Sequence, residues 1–315
     1  MPKHHQPRRG SLQFWPRKRA KKILPSVNWM AVSKDKKGFL GFIGYKVGMA
    51  SVVLKDNTEH SMTKGQKIIT SATVLECPPM KILSVRFYKN SVPVKEVVAG
   101  GDKELKSKVK PGKKKGKLDL DFKDYDEIRV IAYSLVSKTS IKKSPDLTEI
   151  AIGGSKEEQL ETAKSFLNKE IPIEEVFKEG LVDIRGVTKG KGLCGPVKRF
   201  GISHRFHKSE KGVKKVGSIG PWHPARVMFS VPMAGQLGFF SRINYNNKIL
   251  ESGKINEKNI NPERGFEHYG KIRTEYLILK GSLQGPAKRP LLLIQPMRPT
   301  KKQAKKKFDF VGIAK

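Results

Sequence analysis

Short apolar runs, punctuated by glycine and proline, dominate the chain. From Phe39 to Lys55 the run FLGFIGYKVGMASVVLK is rich in β-branched and aromatic residues and predicts strand. Ile68–Glu76 and Lys81–Tyr88 follow, parted by the break Cys77-Pro78-Pro79. Further strands are predicted over 126–136, 181–188, 266–272, 274–280 and 290–296. Strands this short, joined by Gly and Pro turns, predict an antiparallel barrel or sandwich. Two segments carry helical signals instead. Ser155 and Glu158 form a capping box ahead of a stripe of Leu160, Ala163, Phe166 and Leu167. Pro172 opens a second predicted helix carrying Ile173, Val176 and Phe177, which Gly180 is placed to end. The first forty residues hold neither period. Prolines at 2, 7, 16 and 25 and clustered charge work against a packed element there.

Charge changes this picture. The 315 residues carry 64 Lys plus Arg against 29 Asp plus Glu, a formal charge of +35. A free domain carries roughly 2–8 net charges, and self-repulsion at +35 weakens a compact state unless a polyanion neutralises it. This balance argues against an ordinary enzyme of small metabolites and for extensive contact with nucleic acid. The acids are unevenly spread: sixteen lie between Asp102 and Glu179, beside seventeen cations. That near-neutral stretch reads as an insert with a lysine-rich loop at Lys110–Lys117. Hydrophobic residues make up 37%, enough for a core with polar extensions around it. Two cysteines, Cys77 and Cys194, exclude a disulfide framework or a Cys-rich zinc module and suit a reducing compartment. No apolar run approaches 18 residues, and the basic N-terminus lacks the apolar region of a signal peptide, so it is expected to belong to the working protein.

Candidate chemistry narrows further. Gly190-Lys191-Gly192-Leu193-Cys194-Gly195 is formally a GxGxxG, but Pro196-Val-Lys-Arg-Phe-Gly201 is a poor helix start for a dinucleotide site. Gly186 sits one residue too near Gly190-Lys191 for a Walker loop. Glycines among lysines more simply let backbone approach phosphate. His204, His207 and His223 lack a third metal ligand, and Arg205 and Lys208 repel a cation. No nucleophilic triad can be assembled. Arg185 to Arg226 holds eleven Lys or Arg, one acid (Glu210) and eight glycines. Such a segment has too little apolar content to fold on its own surface, and it suits threading between phosphate backbones. Trp222, flanked by prolines on that loop, is expected to stack on bases rather than fill a core. In the tail, Leu12, Phe14, Trp15, Ile23, Leu24 and Trp29 are interleaved with cations, which suits a chain that orders on RNA.

The motif Asp183-x-x-Gly186-x-Thr188-x-Gly190-Lys191-Gly192-x-x-Gly195-x-x-x-Arg199 resembles the signature of the third universal large-subunit ribosomal protein family. Residues 217–242, residues 10–22 and Phe266-Glu-His-Tyr-Gly270 agree with it, in order and spacing over nearly the whole chain. The helical insert and long tail resemble the archaeal–eukaryotic form, and the lack of a further long C-terminal extension the archaeal kind. Where eukaryotic members have a methylated histidine, twelve residues before the loop tryptophan, this chain has Glu210, so no such modification is expected. The resemblance implies a mainly β fold with an α/β insert: a six-stranded translation-protein-type β-barrel, an inserted mixed α/β lobe, a long basic N-terminal tail and an internal RNA-penetrating loop. The expected boundaries are 1–38 for the tail, 39–100 plus 181–298 for the barrel, 101–180 for the lobe, 185–245 for the long loop and 299–315 for a basic C-terminal tail.

It also implies a structural constituent of the large ribosomal subunit that binds 23S-type rRNA near its 3′ end, acts early in assembly and extends its loop toward the peptidyl-transferase centre. The expected partners are that rRNA and neighbouring large-subunit proteins, in the cytoplasm. No enzyme activity, cofactor, metal, membrane, small-molecule substrate or homo-oligomer is expected. The alternative is an RNA-modifying enzyme or translation factor with a basic β-barrel. The expected rRNA-binding residues in the tail are Arg8, Arg9, Trp15, Arg17, Lys18, Arg19, Lys21 and Lys22. In the loop they are Lys189, Lys191, Lys198, Arg199, His204, Arg205, His207, Lys208, Lys214, Lys215, Trp222, His223 and Arg226, with Arg242 beyond it.

Overall fold

The computed structural model describes residues 10–100, 102–109, 122 and 124–314. Arg8, Arg9 and the lysine-rich loop at Lys110–Lys117 lie outside these. Strand accounts for 38% and helix for 12%, so the protein is mainly β. In chain order the strands and helices are β1 (Gly38–Phe39), β2 (Gly41–Asp56), β3 (Lys67–Cys77), β4 (Met80–Lys89), β5 (Val92–Val98), β6 (Glu127–Ser134), β7 (Leu147–Gly153), α1 (Lys156–Ser165), β8 (Leu181–Val187), β9 (Gly190–Cys194), α2 (Pro196–Phe200), β10 (Gly235–Gly238), β11 (Ser241–Lys254), β12 (Glu275–Lys280), β13 (Pro290–Ile294), α3 (Lys301–Ala304) and β14 (Phe308–Ile313). The chain divides into two compact units, one of residues 1–21 with 187–241, the other of 22–186 with 242–315.

The larger unit holds two sheets. One runs β13-β8-β11-β12-β3-β2-β14, and β13 also pairs with β2, so six of its strands form a closed circuit. The N-terminal half of β2 pairs with β13 from Tyr45↔Pro290 to Gly41↔Ile294. Its C-terminal half pairs with β14 from Val52↔Ile313 to Asp56↔Phe308. The burial of β2 follows this division: residues 41–47 are buried on both faces, and alternation begins only after them. Lys46 in that buried half directs its ammonium at the carbonyls of Leu283, at 2.6 Å, and Gly285, at 3.1 Å. Its charge is thereby met by carbonyl dipoles rather than left bare.

The second sheet runs β1-β7-β6-β4-β5. One buried cluster joins the two sheets, taking Phe42, Ile43 and Leu293 from the circuit and Val85, Phe87, Ile128 and Ile150 from the second sheet. The second sheet includes β4 and β5 as well as β6 and β7, and Leu83, Leu105, Tyr133 and Leu135 form a smaller buried cluster of their own. Trp29 is 1% exposed and seated in the larger cluster, because a large apolar ring gains more from burial than from solvent. Within 299–315, β14 hydrogen-bonds to β2.

The capping box forms at α1, with Glu158 N–H bonded to Ser155 Oγ and Ser155 N–H to Glu158 Oε2. Ala163 is fully buried beneath it. The second predicted helix is only a 3₁₀ turn, Ile173–Glu175. Here Glu275 Oε2 accepts from Ile173 N–H at 2.8 Å, and burial of Ile173, Val176 and Phe177 sets the path of the chain. The strand expected at 266–272 is a turn closed by a single bridge, Phe266↔Gly270. Its cause is buried Glu76, which accepts from Tyr269 Oη, from Arg273 N–H at 2.8 Å, and from Thr274 N–H and Oγ1, each at 3.1 Å. A carboxylate that satisfies four donors fixes a turn more firmly than a short apolar run fixes a strand.

Candidate nucleic-acid interface

The smaller unit brings the N-terminal tail and the long loop together. The loop begins and ends as an antiparallel ribbon, with Cys194↔Gly235, Leu193↔Gln236 and Gly190↔Gly238. Gly238 has φ 72°, and a Cβ there would lie 2.1 Å from the Lys189 carbonyl oxygen, so the ribbon closes only with glycine at this position. The glycines of the GxGxxG lie in and beside β9, paired across to β10, and not between a parallel strand and a long helix. The poor helix start does give one short helix. Pro196 supplies the first φ and Gly201, at φ 66°, caps its end.

That helix buries Phe200, and the tail supplies what the loop lacks. The rings of Trp15 and Phe200 stack at 5.9 Å, and Phe229 meets Trp15 edge-on at 5.7 Å. The Arg17 guanidinium lies 4.3 Å from the Phe200 ring centre and donates to the Arg199 carbonyl at 3.2 Å. Arg199 donates to the carbonyls of Gln236, at 3.0 Å, and Met233, at 2.9 Å. Ala20 N–H bonds to the Phe239 carbonyl at 2.8 Å. The loop alone has too little apolar surface for a core, and the structure completes one from two distant segments.

This arrangement sorts the expected residues. Lys18, Arg19, Lys21, Lys189, Lys191, Lys198, His204, His207, Lys208, Lys214, Lys215, His223 and Arg226 are exposed. Trp222 is 86% exposed. Trp15, Arg17 and Arg199 are partly buried within the aromatic cluster, and Arg205 is partly buried and donates to the Val216 carbonyl. In the larger unit, Lys22 is exposed and Arg242 partly buried. Burial pulls the Arg199 and Arg242 guanidiniums below their usual pKa, though arginine starts so high that both stay cationic.

Several exposed apolar side chains of the loop escaped sequence reasoning, among them Leu193, Phe206, Ile219, Val227, Phe229 and Met233. The signal was available in the run ARVMFSVPM, an apolar stretch on a basic loop, of which Phe229 meets Trp15. At the tip, Ile219, Pro221, Trp222, Pro224, Arg226 and Val227 line an open cleft of about 390 Å³. An aromatic face beside a guanidinium offers an unstacked base both stacking and charge. Among the described residues, no three His, Cys, Asp or Glu are grouped to hold a metal ion. No helix among them is long and apolar enough to cross a membrane.

Comparison with known proteins places the chain in a family. Residues 1–311 match the family model for Ribosomal protein L3. The large ribosomal subunit protein uL3 of Methanocaldococcus jannaschii is 44% identical over 94% of this chain and 92% of its own. That of Archaeoglobus fulgidus is 41% identical over 99% and 96%, and that of Methanosphaera stadtmanae 41% over 96% and 95%. A match of this length assigns the chain to the ribosomal protein L3 family.

Proposed function

We propose that the chain is a structural, non-enzymatic constituent of the large ribosomal subunit in the cytoplasm, binding its rRNA and lying beside other large-subunit proteins. The observation that carries this reading is the smaller unit. It holds seventeen lysines and arginines against one acid, and its described cations largely face solvent. Phosphate contacts by such a surface fix position without reading sequence.

The finer reading follows the family. The closed six-strand circuit corresponds to a translation-protein-type β-barrel, and the second sheet with α1 to its inserted lobe. The barrel docks near the 3′ end of 23S-type rRNA early in assembly, and the loop extends toward the peptidyl-transferase centre with Trp222 near its tip. Exposure of Trp222 and the cleft beside it support that placement. Sedimentation of cells expressing the tagged chain tests the reading. The chain is expected at one copy per large subunit and retained in moderate salt, whereas substoichiometric recovery that washes off would overturn it.

A further inference from the structure

From Tyr276 to Phe308 the chain has nine lysines and arginines and no acid. Six of these cations, Arg298, Lys301, Lys302, Lys305, Lys306 and Lys307, fall within ten residues of the larger unit, outside the tail and the long loop. The segment is held at both ends. Asp183 accepts from Met297 N–H at 3.0 Å and from Asn246 N–H at 2.6 Å. The Asn246 amide then donates to the Arg298 carbonyl and Thr300 Oγ1, both at 3.0 Å. At the other end, Lys307 N–H bonds to Thr58 Oγ1 at 3.1 Å and the Lys307 carbonyl accepts from Asn57 N–H at 3.0 Å.

Few acids lie near it, and two of them hydrogen-bond neutral partners rather than its cations. Asp56 is occupied by Thr58, Ser61 and Thr63, and Asp309 by Asn57. Among the described residues only Lys307 has an ion-pair partner, the exposed Glu59 at 3.9 Å. Lys280, its ammonium over the Phe308 ring at 4.3 Å, has its pKa lowered by burial and then by the charge of Lys306. The fold thus holds six like charges within ten residues on a fixed strip, with a single ion pair to them among the described residues.

We propose that this strip, residues 298–307, is a separate docking site for the phosphate backbone of RNA. RNA is favoured over an acidic protein because the strip offers charge without an anchor: no large apolar side chain is exposed between Tyr276 and Phe310. Protein interfaces concentrate their energy in buried aromatic and apolar residues, whereas phosphate contacts need only placed cations. The proposal rests on the RNA-binding reading above and adds a second contact to it.

The test uses the full-length chain with four substitutions, K301Q, K302Q, K305Q and K306Q. Its comparison is a loop variant with K208Q, K211Q, K214Q and K215Q. Binding to a large-subunit rRNA fragment and to an unrelated RNA duplex is measured across salt concentrations. The strip variant is expected to melt as the wild type does and to lower the slope of log K against log salt by about three, equally on both RNAs. A wild-type slope retained by the strip variant while the loop variant loses slope would overturn this proposal alone. A wild-type chain that binds neither RNA would remove the RNA-binding reading and this proposal with it. Loss of binding to polyglutamate with the RNA slope intact would assign the strip to an acidic protein and overturn the proposal as well.

Discussion

The indole of Trp15 lies flat against the ring of Phe200, centroids 5.9 Å apart and planes 15° apart. One residue belongs to the N-terminal tail and the other to the long loop, so this contact joins two basic segments that are far apart in sequence. Stacked aromatic pairs add about 0.5–1.5 kcal/mol beyond the area they bury. Trp15→Ala is therefore expected to destabilise the smaller unit by about 1–3 kcal/mol, less than a fully buried Trp loses. Hydrogen exchange on the free protein checks this. Protection should fall in 10–21 and 196–202 and stay unchanged in β3 and β12; equal loss everywhere would show that Trp15 supports the whole fold.

Trp222 presents the opposite case. At 86% exposure it contributes little to the folded state, so Trp222→Ala should change stability by no more than about 0.5 kcal/mol. In the assembled particle the same change should cost about 1–3 kcal/mol of stacking. Melting of the free protein checks the first expectation. The response of variant subunits to peptidyl-transferase antibiotics checks the second, and an unaltered response together with unaltered peptidyl transfer would count against a base-stacking tip.

Glu76→Ala should be among the most damaging single changes in the larger unit. It strips the acceptor from Tyr269 Oη, Arg273 N–H, Thr274 N–H and Thr274 Oγ1 at once. Buried donors left without partners cost about 1–3 kcal/mol each, so a loss above about 3 kcal/mol is expected in urea unfolding. Glu76→Gln keeps one carbonyl oxygen and should lose distinctly less. Equal losses for the two variants would mean that the acceptor is not what holds 266–274.

Stability should carry an acid limb from Asp56. The hydroxyls of Thr63, Thr58 and Ser61, then the backbone N–H of Thr58, hold its carboxyl well below the usual value of 3.8. A depressed folded-state pKa gives stability that is present above the unfolded value and is lost as pH falls through the folded one. Wild type should therefore weaken from about pH 4 downward, and Asp56→Asn should flatten that limb while starting from a lower plateau at pH 7. Urea unfolding at pH 7 and pH 3 reads both; parallel losses in the two proteins would clear Asp56 of any part in the acid limb.

Gly238→Ala should disrupt the base of the loop. The new Cβ would meet the Lys189 carbonyl at 2.1 Å in a backbone with φ 72°. Gly192, at φ 62° with nothing within 4 Å, offers the comparison. Gly192→Ala should cost only the left-handed strain, about 1 kcal/mol, and Gly238→Ala clearly more. Amide protection of β9 and β10 is the measurement.

Much of the larger unit was legible from residue pattern. β2, β3, β4, β6, β8, β12 and β13 coincide with apolar runs bounded by turn residues, because burial and turn chemistry are local signals. β11 was not legible: SRINYNNKILESGK has three asparagines and no sustained alternation, and it is a strand because it lies between two others. The turn at 266–272 was misread because its cause, Glu76, lies in another strand. In the candidate interface, density of charge was plain in the sequence, but direction was not. Arg17 and Arg199 look like their exposed neighbours in sequence, yet they spend donors on carbonyls of their own chain.

The dual pairing of β2 also bears on how the protein is made. Its partner β3 follows within a few dozen residues, but the partner that closes the circuit, β13, pairs Pro290 with Tyr45. On a ribosome that is still translating, the circuit must stay open until residues 290–294 have been made. Contacts so remote in sequence form slowly and leave strand edges bare in the interval. The nascent chain should thus carry β2 half-paired until β13 emerges, exposing the stretch 41–47 that is buried in the folded protein, and ribosome-bound chains stalled before residue 290 should remain sensitive to protease within 41–47 while those stalled well past 294 are resistant.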